Sequence, residues 1–247
     1  MKKKDFTAIG IMTGTSMDGV DLSLIKSDGH DTFTTILNKF FKFDQKLLNN
    51  LINLRNKISS YNDLVSYSNE LGSLDRDFTM FIAKVLNDLI LYSNINVDLI
   101  GFHGQTIFHN PKKKVSIQIG DGKLLSQLTK QIVISNFRQN DLDNGGQGAP
   151  LTPIFHKLLS KLISTKTEVK YPLNIINIGG ITNITQIMFD SKVDDLDLFA
   201  SDIGPGNCLI DQWIKKNSKK FFDANGEIAK SGIVNDLIYN QAVENFS

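Results

Sequence analysis

The sequence predicts an α/β protein built from two lobes around a cleft. Along the 247 residues, stretches with the alternation typical of β-strands follow one another between stretches with helical spacing. A strand, a polar turn with glycines and an apolar return strand open the chain, and the same theme recurs at 174–188. Two such units are typical of two related lobes. The polar stretch 165–172 predicts the boundary, with lobe one at 1–168 and lobe two at 169–247.

The composition predicts a soluble cytoplasmic protein. Hydrophobic residues make up 41% of the chain and charged residues 21%, and the formal net charge is +1. The small net charge gives no reason to expect nucleic acid as a partner. No apolar run is long enough to span a membrane, and no signal peptide is evident. The single cysteine excludes a disulfide framework.

The first half of the chain reads as a β-hairpin, a third strand and two helices. Alternating apolar residues predict the strands, and apolar residues at helical spacing predict the helices. Asp44 is the expected N-cap of the first helix. The predicted elements are strands at 6–12, 20–29 and 32–43 and helices at 44–58 and 61–93.

The second half continues with shorter elements. A buried strand at 97–106 is expected to run into a polar loop, and Pro153 fits the first turn of a helix. The remaining predicted elements are strands at 115–122, 132–137 and 172–180 and helices at 124–131, 151–163 and 208–217. Apolar residues at 233–243 form a further helical stripe.

The turn after the first strand is the first candidate site. Glycines allow backbone N–H groups to approach phosphate oxygens, and hydroxyl groups add donors. A carboxylate beside phosphate suggests a magnesium ion or a sugar hydroxyl as its partner. An ordinary hairpin turn explains the stretch equally well. The residues are Gly14, Thr15, Ser16, Asp18, Gly19 and Asp21.

Further polar clusters follow apolar strands or precede helices, where open α/β sheets bind ligands. The stretch 103–106 holds a histidine that a simple loop would also explain. The stretch 136–150 combines Arg138, Asp141 and Gln147 with three glycines, and a carboxylate there could act as a general base. Two glycine turns, at 177–183 and 201–207, could form a second phosphate wall, with Asp202 as a metal or hydroxyl partner.

Taken in order, these clusters resemble the anhydro-N-acetylmuramic acid kinase family. The matching stretches include "GIMTGTSMDGVDLSL", "GFHGQTIFHNP", "SIQIGDG", "NFRQNDLDNGGQGAPLTPIFHKLL", "NIGGITNI" and "SDIGPGNCLIDQWI". The resemblance runs from residue 9 to about residue 232 and implies a two-lobed fold of the actin, sugar-kinase and Hsp70 superfamily, which is ribonuclease H-like. It also implies a cell-wall recycling enzyme that uses ATP and Mg²⁺ to open 1,6-anhydro-N-acetylmuramic acid with water and to phosphorylate O6.

The resemblance assigns roles to individual residues. Asp141 is the expected catalytic base. His103, Gln105, Thr106, Arg138 and Gln147 are the expected sugar-binding residues, and Asp18 and Asp202 the expected metal ligands. The expected ATP-binding residues are Gly14, Thr15, Ser16, Met17, Asp18, Gly19, Val20, Asp21, Gly179, Gly180 and Asn183.

Two departures from the family accompany the resemblance. The family usually has aspartate where this chain has Asn136. The family also continues well past the position that matches the last residue here, so the second lobe is expected to be incomplete. Two alternative functions stay open: a homologue that only binds the sugar, and an actin-superfamily kinase for another sugar. Assembly into a homodimer also stays open.

Overall fold

The computed structural model describes residues 4–14, 17–190 and 195–246. Two compact units emerge from it. The first comprises residues 1–177 and 183–202, and the second comprises residues 178–182 and 203–247. The predicted lobe boundary between 168 and 169 stays a prediction, and the compact units divide the chain at other positions.

The first unit is organised around a five-stranded mixed sheet. Its strand order is β3-β2-β1-β4-β7. The strands are β1 (Phe6–Met12), β2 (Gly19–Ser27), β3 (Phe33–Lys42), β4 (Leu99–Phe102) and β7 (Val133–Ser135). β2 pairs antiparallel with both β1 and β3, while β4 runs parallel to β1 and to β7. The predicted hairpin is therefore confirmed, and three parallel strands end at the same edge of the sheet.

Helices pack on one face of this sheet and bury its apolar side chains. They are α1 (Gln45–Lys57), α2 (Tyr61–Ser66), α3 (Ser68–Ser93) and α4 (Gly122–Thr129). The side chain of Asp44 accepts a hydrogen bond from the N–H of Leu47, which confirms the predicted N-cap. The core joins residues of both layers, such as Leu24 of β2 and Phe78 of α3, which are fully buried.

One long helix was expected over 61–93, and the structure has two. Ser60 and Asp63 form a capping box that starts α2. Tyr67 leaves the helical region with φ −103° and ψ 19°, and α3 begins directly after it. The capping bonds favour a separate first turn, which apolar spacing alone does not reveal.

A second hairpin replaces the polar loop expected after β4. It pairs β5 (Gln105–Asn110) with β6 (Val115–Ile119) in antiparallel register. Gln105 and Ile107 are buried, so the strand has an inward side in spite of its polar sequence. This hairpin carries two of the expected sugar-binding residues, Gln105 and Thr106.

The 136–150 segment holds a short helix that the sequence analysis did not predict. α5 (Phe137–Asp143) directly follows β7, and α6 (Pro153–Ser164) begins with the expected proline. The expected strand over 132–137 is shorter, at 133–135. Asn136 sits between β7 and α5 with a positive φ of 61°, a conformation that asparagine tolerates better than most residues.

The remaining elements complete both units. A three-stranded sheet has the order β10-β9-β8, from β8 (Leu173–Ile178), β9 (Ile181–Asp190) and β10 (Asp195–Pro205). The second unit contains the helices α7 (Cys208–Asn217), α8 (Glu227–Ser231) and α9 (Asp236–Phe246). No helix in the described ranges has the length and apolar character needed to cross a membrane.

Candidate active site

The candidate site lies at the edge of the main sheet where β1, β4 and β7 end. Because these strands are parallel, the segments that follow them leave the sheet on the same side. Those segments are the turn after β1, the stretch beginning at His103 and the stretch beginning at Asn136. This is the edge at which open α/β sheets place their ligands.

The turn between β1 and β2 is anchored at its described residues. The carbonyl of Gly14 accepts a hydrogen bond from the N–H of Met17, over 3.2 Å. Met17 has a positive φ of 59°, and its side chain is buried in the core together with that of Val20. Asp18 and Asp21 are exposed. Thr15 and Ser16, both expected to bind ATP, lie outside the described residues.

The packing of β2 against β3 explains why residue 19 is a glycine. A Cβ at this position would collide with the carbonyl oxygen of Phe41 and with the ring of Phe40 on β3. The absence of a side chain therefore allows β2 to approach β3. The side chains of Met17 and Val20 are buried in the core, so of these three residues only the backbone could contact a bound ligand.

His103 uses both ring nitrogens within the protein. Its Nδ1 lies 2.6 Å from the carbonyl oxygen of Gly104, and its Nε2 lies 2.8 Å from Nε of Arg138. A carbonyl only accepts and a guanidinium only donates, so Nδ1 carries the proton and Nε2 accepts. Burial lowers the pKa of His103, and the nearby Arg138 lowers it further. His103 is therefore a neutral acceptor that holds Arg138.

Arg138 and Asp141 meet at the backbone of one residue. Arg138 donates from a terminal guanidinium nitrogen to the carbonyl of Gly148, over 2.6 Å. The N–H of Gly148 donates to Oδ2 of Asp141, over 2.7 Å. The glycine loop 144–148 is thus folded back onto α5. Burial lowers the pKa of Arg138, which nevertheless stays protonated at neutral pH.

Gly146 lies against the Asp141 carboxylate. Its N–H donates to the backbone carbonyl of Asp141, over 2.8 Å, and a Cβ on Gly146 would collide with the carboxylate group. Gly146 and the exposed Gln147 line a cavity of about 550 Å³, together with His109 and Lys112. Gly146 thus both lines this cavity and lies against the Asp141 carboxylate.

A second cavity, of about 350 Å³, lies beside His103. Its wall contains neutral hydrogen-bonding groups from Ser116, Gln118, Asn136 and Gln139. Gln118 donates from Nε2 to the hydroxyl of Thr106, over 3.3 Å, and to that of Ser116, over 2.6 Å. Amide and hydroxyl groups of this kind can bind the hydroxyl and acetamido groups of a sugar.

The expected sugar-binding residues do not share one cavity. His103 lines the 350 Å³ cavity, while Gln147 lines the 550 Å³ cavity. Gln105 is buried and donates from Nε2 to the carbonyl of Gly14, over 3.1 Å. Gln118 belongs to the polar stretch "SIQIGDG", but neither it nor Ser116 or Gln139 was expected to bind the sugar, because only the β5–β6 pairing and α5 bring them to His103.

His109 belongs to the stretch "GFHGQTIFHNP" and had no predicted role. The structure nevertheless places it near several residues that are expected to form the site. Its Nδ1 lies 3.0 Å from the hydroxyl of Ser116. Burial lowers the pKa of His109, Arg138 adds to the decrease, and the carboxylate of Asp202 opposes it. Asp202 is therefore in electrostatic reach of this histidine.

The second unit contains part of the expected ATP site. Gly179 and Gly180 accept hydrogen bonds through their carbonyls from the N–H groups of Asn207 and Gly206, each over 2.9 Å. A Cβ on Gly206 would collide with the carbonyl of Gly179. This turn is thereby fixed to the start of α7. Asn183 belongs to the first unit.

The expected metal ligands stay a prediction. Within residues 4–14, 17–190 and 195–246, no group of three or more His, Cys, Asp or Glu side chains could hold a metal ion. Asp18 and Asp202 would thus need oxygen atoms from a bound ligand or from water to complete a magnesium site.

Comparison with known proteins identifies the family. A family model described as anhydro-N-acetylmuramic acid kinase matches residues 6–246. A protein of that name from Pelagibacter ubique is 47% identical over 244 residues, which cover 99% of this chain and 63% of the relative. Two others, from Agrobacterium fabrum and Rhodospirillum rubrum, are each 37% identical, with 92% and 91% of this chain and 60% and 56% of the relative covered.

The chain thus spans about three fifths of the length of these relatives. The match extends over nearly the whole chain and includes the β1–β2 turn, the β5–β6 hairpin and α5. This chain therefore belongs to the anhydro-N-acetylmuramic acid kinase family.

Proposed function

We propose that this chain carries out ATP-dependent phosphorylation of 1,6-anhydro-N-acetylmuramic acid to N-acetylmuramic acid 6-phosphate in cell-wall recycling. Family membership supports the reaction, because the matched relatives bear the name of this kinase. One structural observation supports the proposal. The β1–β2 turn, His103 and α5, which carries Arg138 and Asp141, all lie at the same edge of the sheet.

The reaction requires two bond changes on the sugar and one on ATP. Water attacks the anomeric carbon, and the bond between that carbon and O6 breaks. O6 takes the γ-phosphoryl group, ADP leaves, and the proton lost by water goes to a base. An unstable charge on O6 is avoided if phosphoryl transfer accompanies ring opening.

Asp141 has the environment of such a base. Its Oδ2 is held by the N–H of Gly148. In the part of the chain that the structure describes, no hydrogen-bond donor contacts its Oδ1. We assign this oxygen the role of accepting a proton from water, and hydrogen bonds through Gly148 and Arg138 connect the carboxylate to His103 in the proposed sugar region. A general base must lie within hydrogen-bond reach of the attacking water, and the proposal requires this of Asp141.

The β1–β2 turn is the proposed phosphate cradle. It presents Gly14 and the exposed Asp18 at the ligand edge of the sheet, with the side chain of Met17 buried beneath it. A carboxylate next to phosphate oxygens is favourable when a cation lies between them. We therefore assign Mg²⁺ to this turn, with Asp18 and Asp202 as its protein ligands. The ion would spread the charge that develops on the transferred phosphoryl group.

The sugar is assigned to the region beside His103. The neutral groups of Ser116, Gln118 and Asn136 suit its hydroxyl and acetamido groups, while the aromatic ring of Phe102 supplies an apolar wall. Asparagine at 136 keeps an acceptor oxygen and adds a donor where the family usually has aspartate. The proposal extends to a two-lobed actin-like fold and to the cytoplasm, where ATP is available.

The test combines binding with product analysis. Calorimetry measures the affinity for 1,6-anhydro-N-acetylmuramic acid and for ATP separately, and mass spectrometry follows a mixture of both with Mg²⁺. Formation of the 6-phosphate with equal ADP supports the proposal. Sugar binding without turnover would support a binding protein instead. Turnover of a different sugar at a higher rate would support another kinase of the superfamily.

A further inference from the structure

Two hydrogen bonds join the β1–β2 turn to the segment that follows β4. The hydroxyl of Thr13 donates to the carbonyl of Gly104, over 2.9 Å, and Nε2 of Gln105 donates to the carbonyl of Gly14, over 3.1 Å. The two bonds run in opposite directions between neighbouring pairs of residues. Thr13 and Gln105 are both buried, at 4% and 1% exposure.

The geometry of Gln105 argues against a sugar contact. The carbonyl of Gly14 can only accept, so it fixes the amide with its NH₂ toward the turn. The opposite atom, Oε1, is buried and has no hydrogen-bond partner among the described residues. A buried acceptor without a partner costs free energy, so a glutamine here needs a compensating role. The bond to Gly14 is the role that the contacts offer.

Gly104 connects the same turn to α5, the helix that carries Arg138 and Asp141. Its carbonyl also accepts from Nδ1 of His103, whose Nε2 accepts from Arg138. Gly104 has a positive φ of 75°, and a Cβ there would press against the carbonyl of Ile119, so a glycine is required. A continuous series of hydrogen bonds therefore runs from Asp141 through Gly148, Arg138, His103 and Gly104 to Thr13.

We infer that Thr13 and Gln105 are positioning residues, which fix the phosphate-binding turn to the His103 segment and so hold it in register with Asp141. Neither residue is assigned a contact with substrate, and Gln105 loses the sugar-binding role expected from the sequence. The inference rests on the proposed function for the identity of the ligands. The hydrogen bonds themselves can be tested in the free protein.

Hydrogen exchange of the backbone amides is the direct test. Thr13→Val and Gln105→Met each remove one donor at nearly constant volume. Each is expected to raise exchange at residues 13, 14 and 17–19 about fivefold, the factor for the loss of one ordinary hydrogen bond. Thr13→Ser keeps the hydroxyl and is expected to restore protection. α3 is the internal reference, because its exchange reports unfolding of the core.

Thr129→Val is the matched control. Thr129 is also buried, and its hydroxyl donates to a carbonyl, that of Leu125, over 2.8 Å. This change is expected to leave the exchange of residues 13, 14 and 17–19 as in the wild type. Unchanged exchange of the turn in Thr13→Val or Gln105→Met would overturn the inference. So would equal increases in the turn and in α3, or failure of Thr13→Ser to restore protection.

Ligand titrations add a second measurement, because the ligand affinities would not change if Thr13 and Gln105 served only to stabilise the fold. Thr13→Val is expected to weaken ATP binding about fivefold. Prior binding of the anhydro-sugar is expected to increase the ATP affinity of this variant less than it increases that of the wild type. Loss of sugar affinity in Gln105→Met, with the turn still protected, would instead establish the sugar contact and overturn the inference. A wild-type chain that binds neither ligand would contradict the proposed function. The hydrogen-exchange result would still decide whether Thr13 and Gln105 are positioning residues.

Discussion

Arg138 donates a hydrogen bond from Nε to Nε2 of His103, over 2.8 Å, although the two residues lie 35 positions apart. The contact fixes the imidazole as a neutral acceptor and the guanidinium in a partly buried position. Since Arg138 also holds Gly148, which donates to Asp141, a series of hydrogen bonds connects His103 to the proposed base.

The first prediction is a loss of stability on the acid side. The pKa of His103 in the folded chain lies below its ordinary value of 6.5, so the unfolded chain binds the proton more readily. Its stabilising contribution is full above pH 6.5 and declines as the pH falls from there toward the folded-state pKa. His103→Gln should flatten the decline by up to about 1.4 kcal/mol per pH unit, the limit for one proton.

Denaturant unfolding at several pH values measures this effect. His109 and His156 also have lowered pKa values, so part of the decline should persist in His103→Gln. The control is His30→Gln, the same change at an exposed position. An identical pH profile for the wild type and His103→Gln would show that His103 does not contribute.

The second prediction concerns the proposed base. Asp141→Asn should preserve the fold and the sugar affinity, because an amide oxygen can still accept from Gly148. Turnover should fall about 10²–10⁴-fold, the usual contribution of general base catalysis. Asp143→Asn is the matched control, since Asp143 is exposed two residues away and contacts only Gln139 among the described residues. Equal turnover in Asp141→Asn and the wild type would remove Asp141 from the mechanism.

The third prediction uses the close approach of Gly146 to Asp141. Gly146→Ala places a methyl group where the carboxylate lies, so the loop or the carboxylate must shift. A shift of about 1 Å in a catalytic group can cost roughly 10²-fold in rate, and we expect a loss of that order in kcat. Gly72→Ala is the control, because the space around this helical glycine is open. It should keep activity and add roughly 0.5–1 kcal/mol of stability.

The fourth prediction concerns the second unit. Its helix α9 exposes large apolar side chains, with Leu237 at 68% and Ile238 at 64% exposure. Exposed apolar patches favour association, so the 247-residue chain should self-associate as its concentration rises. Leu237→Ser combined with Ile238→Ser should shift size-exclusion chromatography toward the monomer. Leu91→Ser, at an exposed leucine of α3, should not. A monomeric wild type at all concentrations would contradict the prediction.

The strongly patterned elements could be predicted from the sequence. Alternation indicated β1 and β2, and helical spacing with an aspartate cap indicated α1. α5 was missed because its sequence shows no amphipathic pattern, and only Leu142 is buried in it. Its position depends on contacts of Arg138 with His103 and Gly148, which no local pattern contains.

The location of the candidate site could be predicted from the sequence, but the contacts between its residues could not. Glycines and polar residues after apolar strands indicated the ligand edge of the sheet. The sequence could not reveal that Gln105 turns toward Gly14, because the two residues lie 91 positions apart and meet only through the β1–β4 pairing. The reason for Gly19 is hidden as well, because only the β2–β3 pairing brings this glycine against Phe40 and Phe41.

The measurement that tests the central claim most directly is the fate of water oxygen in the product. The chain is incubated with ATP, Mg²⁺ and 1,6-anhydro-N-acetylmuramic acid in water enriched in heavy oxygen, and the product is analysed by mass spectrometry after a short reaction. The account predicts N-acetylmuramic acid 6-phosphate with one heavy oxygen on the anomeric carbon and none in the phosphate. Heavy oxygen in the phosphate, or ATP hydrolysis without any sugar phosphate, would contradict it.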